Sequence, residues 1–242
     1  MSPSQVPPFD LFGAAHIVVM VLTVAVPAAL SVIVRRAGSE AVTRRICQGL
    51  ATVLAVNQVV YWTYRWMTVG AMTFMREHLP LHLCSIGIIL AILLLTRRDR
   101  LSYELIYFWG LAGTTNAIIT PELAEGWPDY HFIQFFITHG GIVATALFAT
   151  FGLRMRPDFK SLIRAFLYLN VLAAGIAVVN LLVDGNYMYL FEAPVTASPL
   201  IFLPWPWYLL WFEVLGFGLF ALLYLPVYLG RRLGASGRRA AG

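Results

Sequence analysis

Basic residues fall on every second connection between apolar runs, and this pattern constrains the chain more than any other feature. Seven runs, at 13–34, 46–66, 79–96, 101–119, 131–153, 161–182 and 205–229, are apolar over most of their length. A helix needs about 20 such residues to cross the hydrocarbon of a bilayer. Arg35, Arg36, Arg44 and Arg45 separate runs one and two, and Arg97, Arg98 and Arg100 separate three and four. Arg154, Arg156, Lys160 and Arg164 flank the connection between five and six, and Arg231, Arg232, Arg238 and Arg239 follow the last run. These positions hold 15 of the 17 basic residues. Positive charge marks the cytoplasmic face. The expectation is therefore an all-α, seven-helix bundle forming a single transmembrane domain over 1–242, with the N-terminus outside and the C-terminus cytoplasmic.

Composition agrees. The chain is 60% hydrophobic and only 12% charged, more apolar surface than a soluble domain hides. The pI near 9.4 does not signal nucleic acid, because the cations sit between spans rather than in one patch. The first run follows no basic segment and no convincing cleavage site, so it reads as a retained helix. Cys47 and Cys84 fall near opposite ends of their helices, which argues against a disulfide. The connection at 184–208 is rich in aromatics, and Trp127, Trp205, Trp207 and Tyr208 suit the interfacial belt.

Polar side chains inside hydrocarbon are costly, so they face the bundle or water. Asn57, Tyr61, Tyr64 and Arg65 lie at i, i+4, i+7 and i+8 and share one stripe of helix two. With the orientation above, His16, Arg65, His82, Cys84, Asn116, Gln134, His139, Asn180 and Glu213 all fall in the outer half. Asn186 follows in the next connection. The amides can simply link helices by hydrogen bonds, and Arg65 can snorkel. Glu213 calls for a partner, with Arg65, His16 and His139 the candidates.

Cys84 has the chemistry of a nucleophile, but a thiolate needs a base. His82 is about 200° round a helix from Cys84, on the face of His78 and Ser85. The base therefore comes from another helix. His139 matches Cys84 best in depth, and His16 comes second.

The motifs "LPLHLCS" (79–85), "FFITHGG" (135–141), "NYMYL" (186–190) and "PWPWYLL" (204–210) resemble the YwaF family of bacterial integral membrane proteins, relatives of eukaryotic transmembrane protein 164. The resemblance covers nearly the whole chain. It implies a cell-membrane acyltransferase that moves a fatty acyl chain from a phospholipid through an acyl-thioester, with the family's cysteine on Cys84 and its histidine on His139. The implied partners are a membrane phospholipid as donor and a lysophospholipid or other lipid as acceptor, with no cofactor, no metal, no nucleic acid and no obligate protein partner. His16, Asn57, Tyr61, Arg65, His82, Asn116, Gln134, Asn180, Asn186 and Glu213 are expected to support the site or bind substrate. Arg65 is a candidate cation beside the thiolate, and Asn116, Gln134 or Asn180 a candidate oxyanion donor. Two other readings stand beside this one. One is a zinc lipid hydrolase with His16, His82 and His139 as ligands. The other is a small transporter or receptor.

Overall fold

The computed structural model describes residues 7–193 and 203–240, with side chains in the last helix as far as 232. The middle of the aromatic connection, 194–202, lies outside the described residues. Helix dominates: α1 Ala14–Ala37, α2 Glu40–Val69, α3 Ala71–Glu77, α4 Leu83–Arg97, α5 Arg100–Leu105, a π-helical segment Ile106–Thr114, α6 Thr115–Ile119, α7 Tyr130–Phe151, α8 Phe159–Val183 and α9 Trp207–Ala240. Four helices are long and apolar enough to cross a bilayer: α1, α7, α8, and α9 over Trp207–Arg232. Leu83–Arg97 is a shorter apolar helix. The protein is an all-α membrane protein.

The chain forms two compact units, Met1–Met155 and Arg156–Gly242. In the first unit the chain runs up and down. At the end where α1 begins, called the upper end below, Phe9 N donates to Ala124 O and Gly126 N to Pro7 O. At the opposite end Arg98 at the close of α4 makes two hydrogen bonds to Glu40 at the start of α2, at 2.7 and 3.1 Å. The Arg98 guanidinium holds the exposed Glu40 carboxyl below the usual carboxylate range. Tyr103 of α5 also meets Thr150 at the close of α7 and donates to Met155 O. Helices α4 and α7 therefore run in the same direction.

Helix α7 is the central rod. Of its most apolar window 61% is buried, against 17% for α1. Phe132, Phe136 and Val143 of α7 pack with Ile118 of α6, and Phe9, Val19 and Leu111 close around them. The outward valines and leucines of α1 and α2 stay exposed, as expected where lipid replaces water.

Helix α4 begins four residues later than the apolar run suggests, because turns occupy 79–82 around Pro80. The fourth run is not one regular helix. Its middle widens into nine residues of π-helix, a form that recurs at functional sites. Gly110 lets this segment approach α7: a Cβ there would lie 2.8 Å from Ile142 Cγ2. Ile142 is fully buried, so it has little room to yield. Gly110→Ala is expected to cost about 1–3 kcal/mol through overpacking. Ile142→Ala removes the clashing methyl, so the same glycine substitution costs less in that background. Thermal unfolding in detergent checks the pair.

In the second unit, α8 begins with a capping box, the Asp158 side chain accepting from Ser161 N. Arg231 of α9 donates to Pro157 O at 3.0 Å.

Candidate active site

Cys84 is the second residue of α4, and His82 is that helix's N-cap. The His82 ring bonds the Glu77 backbone and lies near His78. It belongs to the turn that starts the helix. The Cys84 thiol hydrogen-bonds the side chain of Thr114, the last residue of the π segment. Thr114 is buried. Cys47 and Cys84 are both free thiols.

His139 lies on α7. Its Nδ1 is 2.8 Å from Phe135 O, and its ring stacks on that of Phe135 at 3.9 Å. A carbonyl only accepts, so Nδ1 carries a proton, and in the neutral ring Nε2 keeps its lone pair. No hydrogen bond reaches Nε2 among the described residues. On the helical wheel His139 falls between Val143, which packs with Ile118 and Leu111, and Ile142, which meets Gly110.

The glycines fix the relative level of the two groups. A Cβ on Gly87 would sit 3.2 Å from Ile142 Cδ1. Cys84 stands three residues before Gly87, and His139 three residues before Ile142. In two helices of the same direction, both groups therefore sit one step above the contact, about 4.5 Å. Leu83 beside Gly113 places Thr114 at the same level. Cys84 and His139 are not hydrogen-bonded to each other.

His16 is arranged in the opposite way. It is 1% exposed. Its Nδ1 accepts from Phe12 N at 2.9 Å, and its Nε2 meets Ile118 O at 2.8 Å. Both ring nitrogens are engaged by backbone, so no lone pair remains for a proton or a metal. The one group of three metal-ligating side chains found together among the described residues is Glu125, Asp129 and His131, not His16, His82 and His139.

The expected amide donors link helices or shape loops. Asn57 Nδ2 donates to Thr138 Oγ1 at 2.9 Å, and Gln134 Nε2 donates to the same oxygen at 3.0 Å. This knot ties α2 to α7 one residue before His139. Asn116 is exposed and about 200° round from Thr114. In the second unit, Asn180 clamps the backbone of Tyr187 through both its side-chain atoms. Asn186 accepts from Phe191 N and donates to Glu192 O. Glu213 accepts from Asn170 at 3.0 Å, both within the second unit. Arg65, expected as a cation beside the thiol, acts instead on His78 and Tyr130. Among the described residues, no charged side chain acts on Cys84.

Sequence reasoning missed Thr114 as a partner of the thiol. Its signal was the pair Thr114 and Thr115 inside an apolar run, but only the π segment decides which of them points at α4.

An apolar groove of about 320 Å³ runs between α1, α2 and α7. Val19, Val26, Leu50, Val53 and Ile137 line it, and Gly140 and Gly141 form part of its floor. It occupies the face of α7 turned away from His139.

The TMEM164 family model matches residues 11–224. An uncharacterized protein of Treponema pallidum (strain Nichols) is 28% identical over 163 residues, 67% of this chain and 66% of that protein. The chain thus spans slightly less than two thirds of that relative's length. No solved structure matches. The family that matches carries the transmembrane protein 164 name, not the YwaF one.

Proposed function

Because the chain belongs to the TMEM164 family, we propose that it is a phospholipid acyltransferase whose nucleophile is Cys84 and whose general base is His139. The carrying observation is the His139 tautomer: Nδ1 donates to Phe135 O, and a proton-accepting Nε2 stands at the level of the thiol. His16, the competing base, has both nitrogens engaged, which also weakens the zinc reading.

The step begins when His139 Nε2 takes the Cys84 proton, and the thiolate attacks an ester carbonyl of a phospholipid. A side-chain rotation closes the gap, since catalytic hydrogen bonds are often long before substrate binds. The Thr114 hydroxyl supplies a donor to the thiolate, the role first expected of Arg65. The tetrahedral intermediate collapses and the C–O bond breaks. The leaving lysophospholipid oxygen takes the proton from His139, and the acyl chain remains on Cys84 as a thioester. In the second half an acceptor hydroxyl gives its proton to His139 and attacks the thioester carbonyl. The thiolate leaves and is reprotonated. A site enclosed by hydrocarbon limits water, which favours transfer over hydrolysis.

We also propose that all seven long helical stretches cross the bilayer as one domain of a multi-pass cell-membrane protein. The basic ends then face the cytoplasm and the site opens toward the outer leaflet.

Intact mass spectrometry of protein incubated with mixed phospholipids tests the assignment. A fatty-acyl adduct is expected on wild type and absent from Cys84→Ala. Normal lipid turnover by Cys84→Ala with no adduct on wild type would reduce the thiol to a packing residue.

A further inference from the structure

Three polar donors at the upper end of the first unit have no hydrogen-bond partner among the described residues. The Arg65 Nε, the Tyr130 hydroxyl and the Trp62 Nε1 are buried side-chain atoms with no hydrogen bond among the described residues. The Arg65 guanidinium forms no ion pair there either. The residues outside the described ones contain no Asp or Glu side chain. Buried donors normally find acceptors, and an unpaired cation near hydrocarbon is the costliest case.

Arg65 and Tyr130 are neighbours, and Trp62 precedes Arg65 by one turn on the same helix, α2. The Arg65 guanidinium stands 5.9 Å over the Tyr61 ring. Tyr64 packs edge-on against Tyr130 at 5.4 Å, and the Arg65 charge acts on the Tyr130 hydroxyl. The nearby carboxylates look elsewhere. Glu77 is exposed beside His78 at 4.0 Å, and Asp129 bonds the backbone and ring of His131. His78 is less basic than a free imidazole, first through burial and then through Arg65.

We infer that Arg65, with Tyr130 and Trp62, forms an anion site for the phosphodiester of the acyl-donor phospholipid. This inference rests on the acyltransferase reading for its substrate. A phosphodiester offers two non-bridging oxygens, which a guanidinium meets with paired N–H donors. Tyrosine and tryptophan then supply neutral donors to the remaining lone pairs. The depth fits. Tyr130 precedes His139 by nine residues, about 13 Å of rise. The Arg65 side chain leans back over Tyr61, a turn closer to the thiol. A phosphate held there directs its glycerol esters down toward Cys84.

Binding is measured in the Cys84→Ala background, so that no lipid turns over. Native mass spectrometry in detergent counts a short-chain diacyl phosphatidylcholine and the matching diacylglycerol on each variant. Phosphatidylcholine is expected to bind about tenfold tighter than the diacylglycerol. Arg65→Gln removes that preference and leaves diacylglycerol binding unchanged, and Tyr130→Phe erodes it about threefold. Arg65→Lys keeps part of it, because an ammonium is a point charge without the paired donors. If Arg65→Gln does not fold, the Lys and Phe variants carry the test. Equal loss for both lipids assigns Arg65 a structural role and overturns the inference. So does no loss for either, which leaves a cation touching only bulk head groups. Displacement of phosphatidylcholine by millimolar inorganic phosphate overturns it too, in favour of a free-anion site. The assay needs no thiol, so failure of Cys84 to become acylated leaves its result standing, and the converse also holds.

Discussion

Acylation of Cys84 is expected to slow by about 10²–10⁴-fold in His139→Ala, the range a positioned general base contributes. The rate is read as the appearance of the acyl-enzyme mass in a single turnover, with excess phospholipid. The protein should remain folded, because His139 is half-buried and its one hydrogen bond lies within its own helix. Two features separate a base from a packing residue. Raising the pH should restore part of the rate in His139→Ala, since solvent base then generates the thiolate. His139→Gln should not rescue, although its amide can still donate to a carbonyl, because it offers no titratable lone pair. Thr114→Val, which keeps the shape of the side chain, should slow acylation by about tenfold through loss of one donor to the thiolate. Rapid acylation of His139→Ala at neutral pH would return the base assignment to an open question.

The parts of this molecule legible in the sequence are those set by length and charge. Apolar runs near twenty residues become helices in lipid because every backbone group must be satisfied within the segment. The helix positions follow from that and little else. The π segment was not legible, since "IYFWGLAGT" reads like any apolar helix. The wider turn goes with a close approach of Gly110 to Ile142, two residues 32 apart in sequence. The short α3 was hidden for a related reason: it is seven residues long, and its helix ends against His78.

The polar residues show the same division. Their presence in the membrane was legible, but their roles depend on partners. Asn57 and Gln134 converge on Thr138, a group no spacing rule connects to Asn57. Asn180 folds back on Tyr187 seven residues later. Arg65 was read as a neighbour of the thiol because both fall near the same membrane depth. Sharing the outer half is a coarse criterion: Arg65 lies near Tyr61 and Tyr130, and Tyr130 stands nine residues above His139 on α7.

His16→Ala is expected to destabilise the protein by about 3 kcal/mol, which is large against the usual margin of folding. The ring is buried among Phe9, Phe12 and Phe136. Its removal leaves a cavity and strips Phe12 N and Ile118 O of their partner. Those two groups belong to the start of α1 and to α6, so the same ring pins the entry of the chain to the helix that follows Thr114. Asn and Gln separate the two bonds. An Asn oxygen reaches from the Nδ1 position and restores the Phe12 bond; a Gln amide reaches from the Nε2 position and restores the Ile118 bond. Each should recover part of the loss, and thermal unfolding in detergent ranks the three variants. A base would behave otherwise: His16→Ala would keep its unfolding temperature while losing acylation, and neither amide would help. That outcome would exchange the roles of His16 and His139. The opposite outcome, a loosened fold with the chemistry recovering in step with stability in the amide variants, follows if the backbone bonds fix what each imidazole is able to do.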